Sequence, residues 1–255
     1  MAKKAEPIAV FDSGLGGISV LRALVAAMPQ EDFLYFGDSA NAPYGSKPTQ
    51  QIRDLTLAVA EMLLSRPCKA LVVACNTATA AAIEELRAKY PDKIIIGIEP
   101  ALKLAADRHP GGHIAVMATE LTLREQKFRR LMDRFTHQCR ITLLPSPGLV
   151  EFIEQGRSDC PECLEFLHRE LDPFVGQLNA VVLGCTHYPF LKKQIQSILG
   201  PDVELLDGGE GTARETQRRL ALAGLLQDGP GSVTLESSLP TQENLLRMAQ
   251  LLNAE

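Results

Sequence analysis

Leu71-Val-Val-Ala-Cys-Asn-Thr-Ala-Thr79 and Val181-Val-Leu-Gly-Cys-Thr-His-Tyr-Pro189 are the two stretches on which the fold turns. Each is a short apolar run that stops at a small residue and a cysteine, Cys75 or Cys185. Each then passes into residues with hydroxyl, amide or imidazole groups. A run that is apolar at every position, not at alternate ones, reads as a strand buried on both faces of a sheet.

The same alternation extends outward from both stretches. Ile8–Phe11, Phe33–Phe36, Ala70–Ala74 and Ile94–Ile98 read as strands, and Gly14–Met28, Pro48–Leu64 and Thr77–Lys89 as the helices between them. Strands alternating with helices favour a parallel sheet with helices on its faces. The order then recurs. Ile114–Met117 matches Ile8–Phe11 at an offset of 114 − 8 = 106, and Ile141–Leu144 matches Phe33–Phe36 at 141 − 33 = 108. Cys185 follows Cys75 by 185 − 75 = 110, and Val203–Leu206 matches Ile95–Ile98 at 203 − 95 = 108, both runs ending near an acid, Glu99 or Asp207.

The expected fold class is therefore α/β, with two similar parallel-sheet domains related by pseudo-symmetry. The first spans 1–98 plus 208–255, and the second 99–207. The tail from Gly208 holds two helix-like stretches, Gly211–Leu226 and Gln242–Asn253, around a short Val233–Leu235 run, and is expected to pack on the first domain. Ligands of parallel sheets bind outside the carboxyl ends of the strands. The expected active site is the cleft between the domains, with a thiol presented from each side.

Composition narrows the class. The chain has 255 residues, 45% apolar and 22% charged, as in a soluble globular protein. A net charge of −5 leaves no basic footprint, so no nucleic acid partner is expected. No apolar run is long enough to span a bilayer, so no membrane partner is expected, and the N-terminus does not read as a secretory signal. Six cysteines in such a chain point to reduced thiols in the cytoplasm, not to three disulfides.

The strand ends carry the polar motifs. Asp12-Ser-Gly-Leu-Gly-Gly17 follows the first strand, and its glycines let backbone amides approach an anion. It lacks the third glycine of a dinucleotide fingerprint, since that place is Ser19. Asp12 can orient a proton or bind an ammonium, or it can cap the following helix. Asp38-Ser-Ala-Asn-Ala-Pro-Tyr-Gly45 offers backbone donors and a phenol, or is an ordinary turn. Cysteines beside helix N-termini favour the thiolate. Asn76, Thr77 and Thr186 can donate to a carboxylate, and His187 is a proton carrier next to Cys185. Cys160-Pro-Glu-Cys163 resembles half a zinc site without its second pair, so no metal is expected, and its thiols read as surface cysteines at a helix start. His109, His113 and His137 read as loop or surface residues.

Val10-Phe-Asp-Ser-Gly-Leu-Gly-Gly17, Pro43-Tyr-Gly45, Ala74-Cys-Asn-Thr-Ala78 and Leu183-Gly-Cys-Thr-His-Tyr-Pro189 together resemble the signature segments of the glutamate racemase family, in order and across nearly the whole chain. The resemblance implies a racemase that needs no cofactor, takes glutamate as its small-molecule substrate and supplies D-glutamate for bacterial peptidoglycan. It implies Cys75 and Cys185 as the two acid/base groups, assisted by Asp12 and His187 respectively. It places Asp12, Ser13, Tyr44, Gly45, Asn76, Thr77, Thr119, Thr186 and His187 around the substrate. It also implies a glutamate ahead of the second cysteine. Leu149-Val-Glu151 matches that segment, which makes Glu151 the choice over Glu154 one turn later. The second half's first loop, Ala118-Thr-Glu-Leu-Thr122, departs from the family's glycine-containing form. The family is often dimeric, which makes a homodimer one expectation.

Rival readings are a racemase of a related amino acid such as aspartate, and a two-lobed protein that binds a small acid without turning it over. A thiol redox protein is a third, for which only Cys160 and Cys163 have the spacing.

Overall fold

A computed structural model describes residues 3–253. In chain order its elements are β1 (Ile8–Asp12), α1 (Ile18–Ala27), β2 (Phe33–Gly37), α2 (Thr49–Leu64), β3 (Ala70–Val73), α3 (Asn76–Lys89), β4 (Ile94–Gly97) and α4 (Leu102–Arg108). There follow β5 (His113–Ala118), α5 (Glu120–Arg124), α6 (Gln126–Asp133), β6 (Arg140–Pro145), α7 (Leu149–Glu154), α8 (Pro161–Leu171), β7 (Ala180–Leu183), α9 (Lys192–Leu199) and β8 (Glu204–Asp207). The chain closes with α10 (Gly209–Leu222), β9 (Val233–Ser237) and α11 (Gln242–Asn253). Two units result. One holds the residues up to Glu99 and from Gly209 on, and the other is Pro100–Gly208.

In the first unit every strand pairs in parallel, in the order β4-β3-β1-β2-β9. β1 and β3 are buried at every residue, as strands covered on both faces must be. The chain runs from β1 to its neighbour β2, then crosses back over β1 to lay β3 on the other side. Right-handed crossovers in the two directions put α1 on one face and α2 and α3 on the other. Accordingly α1 packs with α10 and α11, and α2 packs with α3.

The second unit has the order β6-β5-β7-β8, which read backwards is β8-β7-β5-β6, the same topology as β4-β3-β1-β2. The register repeats as well. Ile8 pairs with Phe33 and Ala70, while Ile114 pairs with Ile141 and Ala180, which reproduces the offsets 106, 108 and 180 − 70 = 110. The fourth strand corrects the sequence reading. Ala70 pairs with Ile94 and Ala180 with Glu204, so the offset is 204 − 94 = 110, not 108. Asp207 is thus the counterpart of Gly97, not of Glu99. Val203 misled because it is buried in the core just ahead of the strand and imitates a strand residue.

Alternation along β5 and β7 builds two cores in this unit. Ile114, Val116, Ala118, Ala180 and Val182 face the layer of α4, α5 and α6. Ala115, Met117, Val181, Leu183 and Cys185 face α7, α8 and α9. His113 is buried at the start of β5, with Nε2 2.7 Å from the Thr142 hydroxyl, and is not the surface residue its sequence context suggested.

The tail returns to the first unit, where β9 pairs with β2. α10 stops short of the expected Leu226 because Gly224 takes φ 66°. The amides of Gly224 and Leu225 then return to Ala221 O and Leu220 O, the double closure of a Schellman end. Below the sheet, the Lys69 ammonium meets the Glu31 carboxylate with side-chain exposures of 0% and 2%. Glu31 also accepts the Gln227 amide at 2.8 Å, and Asp32 accepts the Ser232 hydroxyl. Only glycine fits at position 231, since a Cβ there would lie 2.4 Å from Glu31 O.

Removing one partner of a buried pair leaves a charge without compensation. Lys69→Met is therefore expected to lower the unfolding free energy by roughly 3–5 kcal/mol in urea titrations. Lys69→Met combined with Glu31→Leu should recover much of that loss. A single variant as stable as the parent would contradict the pairing.

Candidate active site

In the first unit, the strand order reverses between β1 and β3, and ligands of such sheets bind at that reversal, at the carboxyl ends. Asp12 ends β1 and Cys75 follows β3 by two residues. Cys75 is the N-cap of α3, with extended backbone, and its sulfur accepts the Ala78 amide at 3.4 Å. The Ser13 hydroxyl lies 3.4 Å from the same sulfur. The thiol thus sits where one of the helix's unsatisfied N–H groups needs an acceptor. Asn76 and Thr77 open the helix and are buried. The Asn76 side-chain oxygen is buried with no hydrogen-bond partner, an acceptor left open at the strand ends.

Asp12 is fully buried and accepts the Gly14 amide at 3.0 Å. It does not cap α1, whose N-cap is Gly17. A Cβ on Gly17 would come within 2.5 Å of Asp12 Cβ, so the glycine is what lets the helix start against the carboxylate. Beyond β2, Asp38 anchors the next loop. Its carboxylate accepts the Tyr44 hydroxyl at 2.6 Å and the Asn41 amide at 3.0 and 3.1 Å. Burial, and then the hydrogen bond to Asp38, push the Tyr44 phenol far above its ordinary range, so it stays protonated. Charge on Asp38, and charge developed at Cys75 or Asp12, act on the phenol in the same direction. Its proton is committed to Asp38. The loop therefore offers a ligand its backbone, including Gly45, more readily than the phenol. Sequence reading named Asp38 only as part of this loop.

In the second unit, Cys185 follows β7 by two residues, at the place Cys75 holds after β3. The continuation differs. Tyr188–Leu191 form a 3-10 turn with Pro189 in its first positions, and α9 starts only at Lys192. Cys185 is consequently met by a side chain, with His187 Nδ1 3.7 Å from its sulfur. His187 Nε2 lies 2.6 Å from the Glu154 carboxylate. Thr186, His187 and Tyr188 are buried, and the Tyr188 hydroxyl donates to Ser146 O at 2.9 Å. Thr119 ends the β5 side of the same reversal, capping α5 by accepting the Thr122 amide at 3.3 Å, its hydroxyl 3.0 Å from that of Thr122.

The carboxylate at His187 is that of Glu154, and this replaces the choice of Glu151 made from the sequence. The two are one helical turn apart on α7, but Glu151 is exposed, whereas the Glu154 side chain is 18% exposed. The helical phase could have been read from Val150 and Ile153, which fix the buried face.

Burial by itself would push the His187 pKa down. The hydrogen bonds to Cys185 and Glu154, with the carboxylate's charge, outweigh it and hold His187 well above the usual histidine range. A charged imidazole then offers Nδ1–H to the Cys185 sulfur while Nε2–H is held by Glu154. All six cysteines are free thiols. Cys163 is buried in the second unit's core and is not the surface thiol expected, while Cys160 is half-buried. Among the described residues no group of three or more His, Cys, Asp or Glu could hold a metal ion, and no helix is long and apolar enough to cross a membrane.

Residues 9–216 match the Asp/Glu/Hydantoin racemase family. A glutamate racemase of Clostridium perfringens (strain SM101 / Type A) is 50% identical over 218 residues, covering 85% of this chain and 84% of that one. The crystal structure of glutamate racemase from Thermus thermophilus in complex with beta-chloro-D-alanine superposes with a TM-score of 0.81 at 35% identity, covering 98% of this chain and 94% of that one. That of Francisella tularensis glutamate racemase in complex with D-glutamate has a TM-score of 0.85 at 26% identity, covering 99% and 95%.

The His187 assignment can be checked by NMR titration of the labelled imidazole. Its midpoint is expected well above 6.5, and Glu154→Gln should bring it down. A histidine with a raised folded pKa stabilises the fold fully below the unfolded value and loses that contribution as pH rises through the folded value. The stability gap between wild type and Glu154→Gln should therefore narrow as pH climbs above about 6.5. A midpoint at or below 6.5 would contradict the pairing.

Proposed function

The chain belongs to the Asp/Glu/Hydantoin racemase family, and we propose that it interconverts L- and D-glutamate by proton transfer between two thiols, without a cofactor. The observation that carries this reading is the equivalent placement of Cys75 and Cys185 after the third strand of each repeat, each with its own hydrogen-bonding neighbours. Relatives named as glutamate racemases, one of them in complex with D-glutamate, support glutamate as the substrate.

In this mechanism a thiolate takes the α-proton from one side of the substrate and the other thiol returns a proton from the opposite side. One thiolate and one thiol are needed at a time, and the order reverses with the enantiomer. By the family resemblance, Cys75 works on D-glutamate and Cys185 on L-glutamate. Asp12 and Ser13 orient the Cys75 side. His187, backed by Glu154, serves Cys185, and Glu151 has no part in it. The open Asn76 oxygen suits the substrate ammonium. The hydroxyls of Thr77, Thr119 and Thr186 and the backbone at Tyr44 and Gly45 suit its carboxylates. General acid–base help of this kind contributes roughly 10²–10⁴-fold. Preorganised donors around the developing carbanion must supply the rest.

The same resemblance supports a cytoplasmic enzyme, working as a homodimer, whose D-glutamate goes to peptidoglycan. Six free thiols suit a reducing compartment.

In D₂O without added cofactor, the protein should wash deuterium into the α-position of glutamate from either enantiomer, more readily than into aspartate. Cys75→Ser and Cys185→Ser should each lose turnover by about 10²-fold or more. Glu154→Gln should slow turnover while Glu151→Gln stays close to wild type. Binding of glutamate with full retention of its α-hydrogen would overturn the racemase reading.

A further inference from the structure

Of the four thiols that the two half-sites leave without a part, Cys160 and Cys163 lie three residues apart. Cys160 is the N-cap of α8, in extended backbone, with Pro161 in the first helical positions. Cys163 stands three residues on, fully buried in the core that also holds Ile153, Leu167 and Cys185. Its amide donates to Cys160 O at 3.1 Å, which closes the first turn over the two residues. The cap position directs a side chain back over the turn towards the third helical residue, which here is Cys163. Side chains three apart on a helix lie about 5–6 Å apart at Cβ. A disulfide needs roughly 3.5–4.5 Å. The remaining closure falls on the Cys160 side chain, which is half-buried and makes no capping hydrogen bond, while its backbone is held by Arg157 O and by the Cys163 and Leu164 amides. Burial, and then the charges of Cys160 and Asp159, push the Cys163 thiol up to about 11, so the two sulfurs sense each other.

The structure assigns Cys160 and Cys163 to a thiol–disulfide couple on the second unit, distinct from Cys75 and Cys185, which a small-molecule disulfide oxidises. Cys160, the half-exposed thiol, gives up its proton and attacks one sulfur of the disulfide RSSR. The RS–SR bond breaks, RS⁻ leaves and takes up a proton, and Cys160–SR forms. Cys163 then loses its proton and attacks the Cys160 sulfur, releasing the second RS⁻. Two protein thiols are oxidised and one RSSR is reduced to two RSH. Burial shields Cys163 from RSSR, so it resolves the mixed disulfide and does not form one of its own. This order does not depend on the racemase reading, and racemisation is not its readout.

The test uses the full reduced chain incubated with oxidised glutathione, quenched in acid, unfolded, alkylated and cut with trypsin. Cleavage after Arg157 and Arg169 puts both cysteines in the peptide 158–169. In wild type this peptide is expected mainly as the internally bridged form, two hydrogens lighter, with neither glutathione nor alkyl group. In Cys163→Ala it should carry one glutathione, on Cys160. In Cys160→Ser, a benign change at a helix cap, Cys163 should be recovered alkylated. Wild-type peptide with glutathione persisting on Cys160, or with both cysteines alkylated, would overturn the couple. Glutathione on Cys163 in the Cys160→Ser variant would overturn the order of attack.

Discussion

Strands buried on both faces leave only their ends for polar chemistry, and every other feature of this protein follows from that constraint. β1 and β3 have no side chain free to meet a ligand along their length. The chain's reversal across β1 sets the carboxyl ends of these two strands side by side with no crossover helix between them. Asp12, Ser13 and Cys75 emerge at those ends. The second unit repeats the order and register, and so it presents Thr119 and Cys185 by the same route.

Equal backbones do not produce equal thiols. After Cys75 an α-helix starts at once, and the sulfur becomes the acceptor of a helix amide. After Cys185, Pro189 belongs to a tighter turn that delays the helix to Lys192. The sulfur is met instead by an imidazole, and a buried imidazole needs a counter-charge to remain protonated. Glu154 supplies it from α7, at 2.6 Å. Hydrogen bonds to Cys185 and Glu154, with the charges of both, outweigh burial and hold the His187 pKa well above the usual histidine range.

Much of this was legible in the sequence, because fully buried strands leave an unmistakable apolar run and a repeat leaves constant offsets. Three offsets became the register itself. The errors share a cause, which is that burial is a property of three dimensions. Val203 and His113 lie next to strand boundaries, and nothing in the residue type tells an apolar loop residue from a strand residue, or a satisfied histidine from a solvated one. Cys163 needed the face of α8 to be known before its depth could be. Choosing between Glu151 and Glu154 needed the phase of a helix only six residues long. A motif match sets that phase less securely than the buried pair Val150 and Ile153 does. The pairing of Asp38 with Tyr44 had no sequence signal beyond a polar loop.

The opposite ends of the strands complete the argument. Lys69 and Glu31 lie just before β3 and β2, and Asp32 and Ser232 tie β9 to the same edge. In the second unit His113 donates its amide to Asn179 at the start of β5, and Arg108 and His109, at the end of α4, meet Glu204 at the start of β8. Charges and hydrogen bonds at these ends tie the strand starts to their neighbours. A parallel sheet with close-packed faces transmits a strand's position along its axis with little slack. The proposed proton transfer between thiols would need placement to a fraction of an ångström. The contacts at the amino ends of the strands and the thiols beyond their carboxyl ends are separated by strands only four to six residues long.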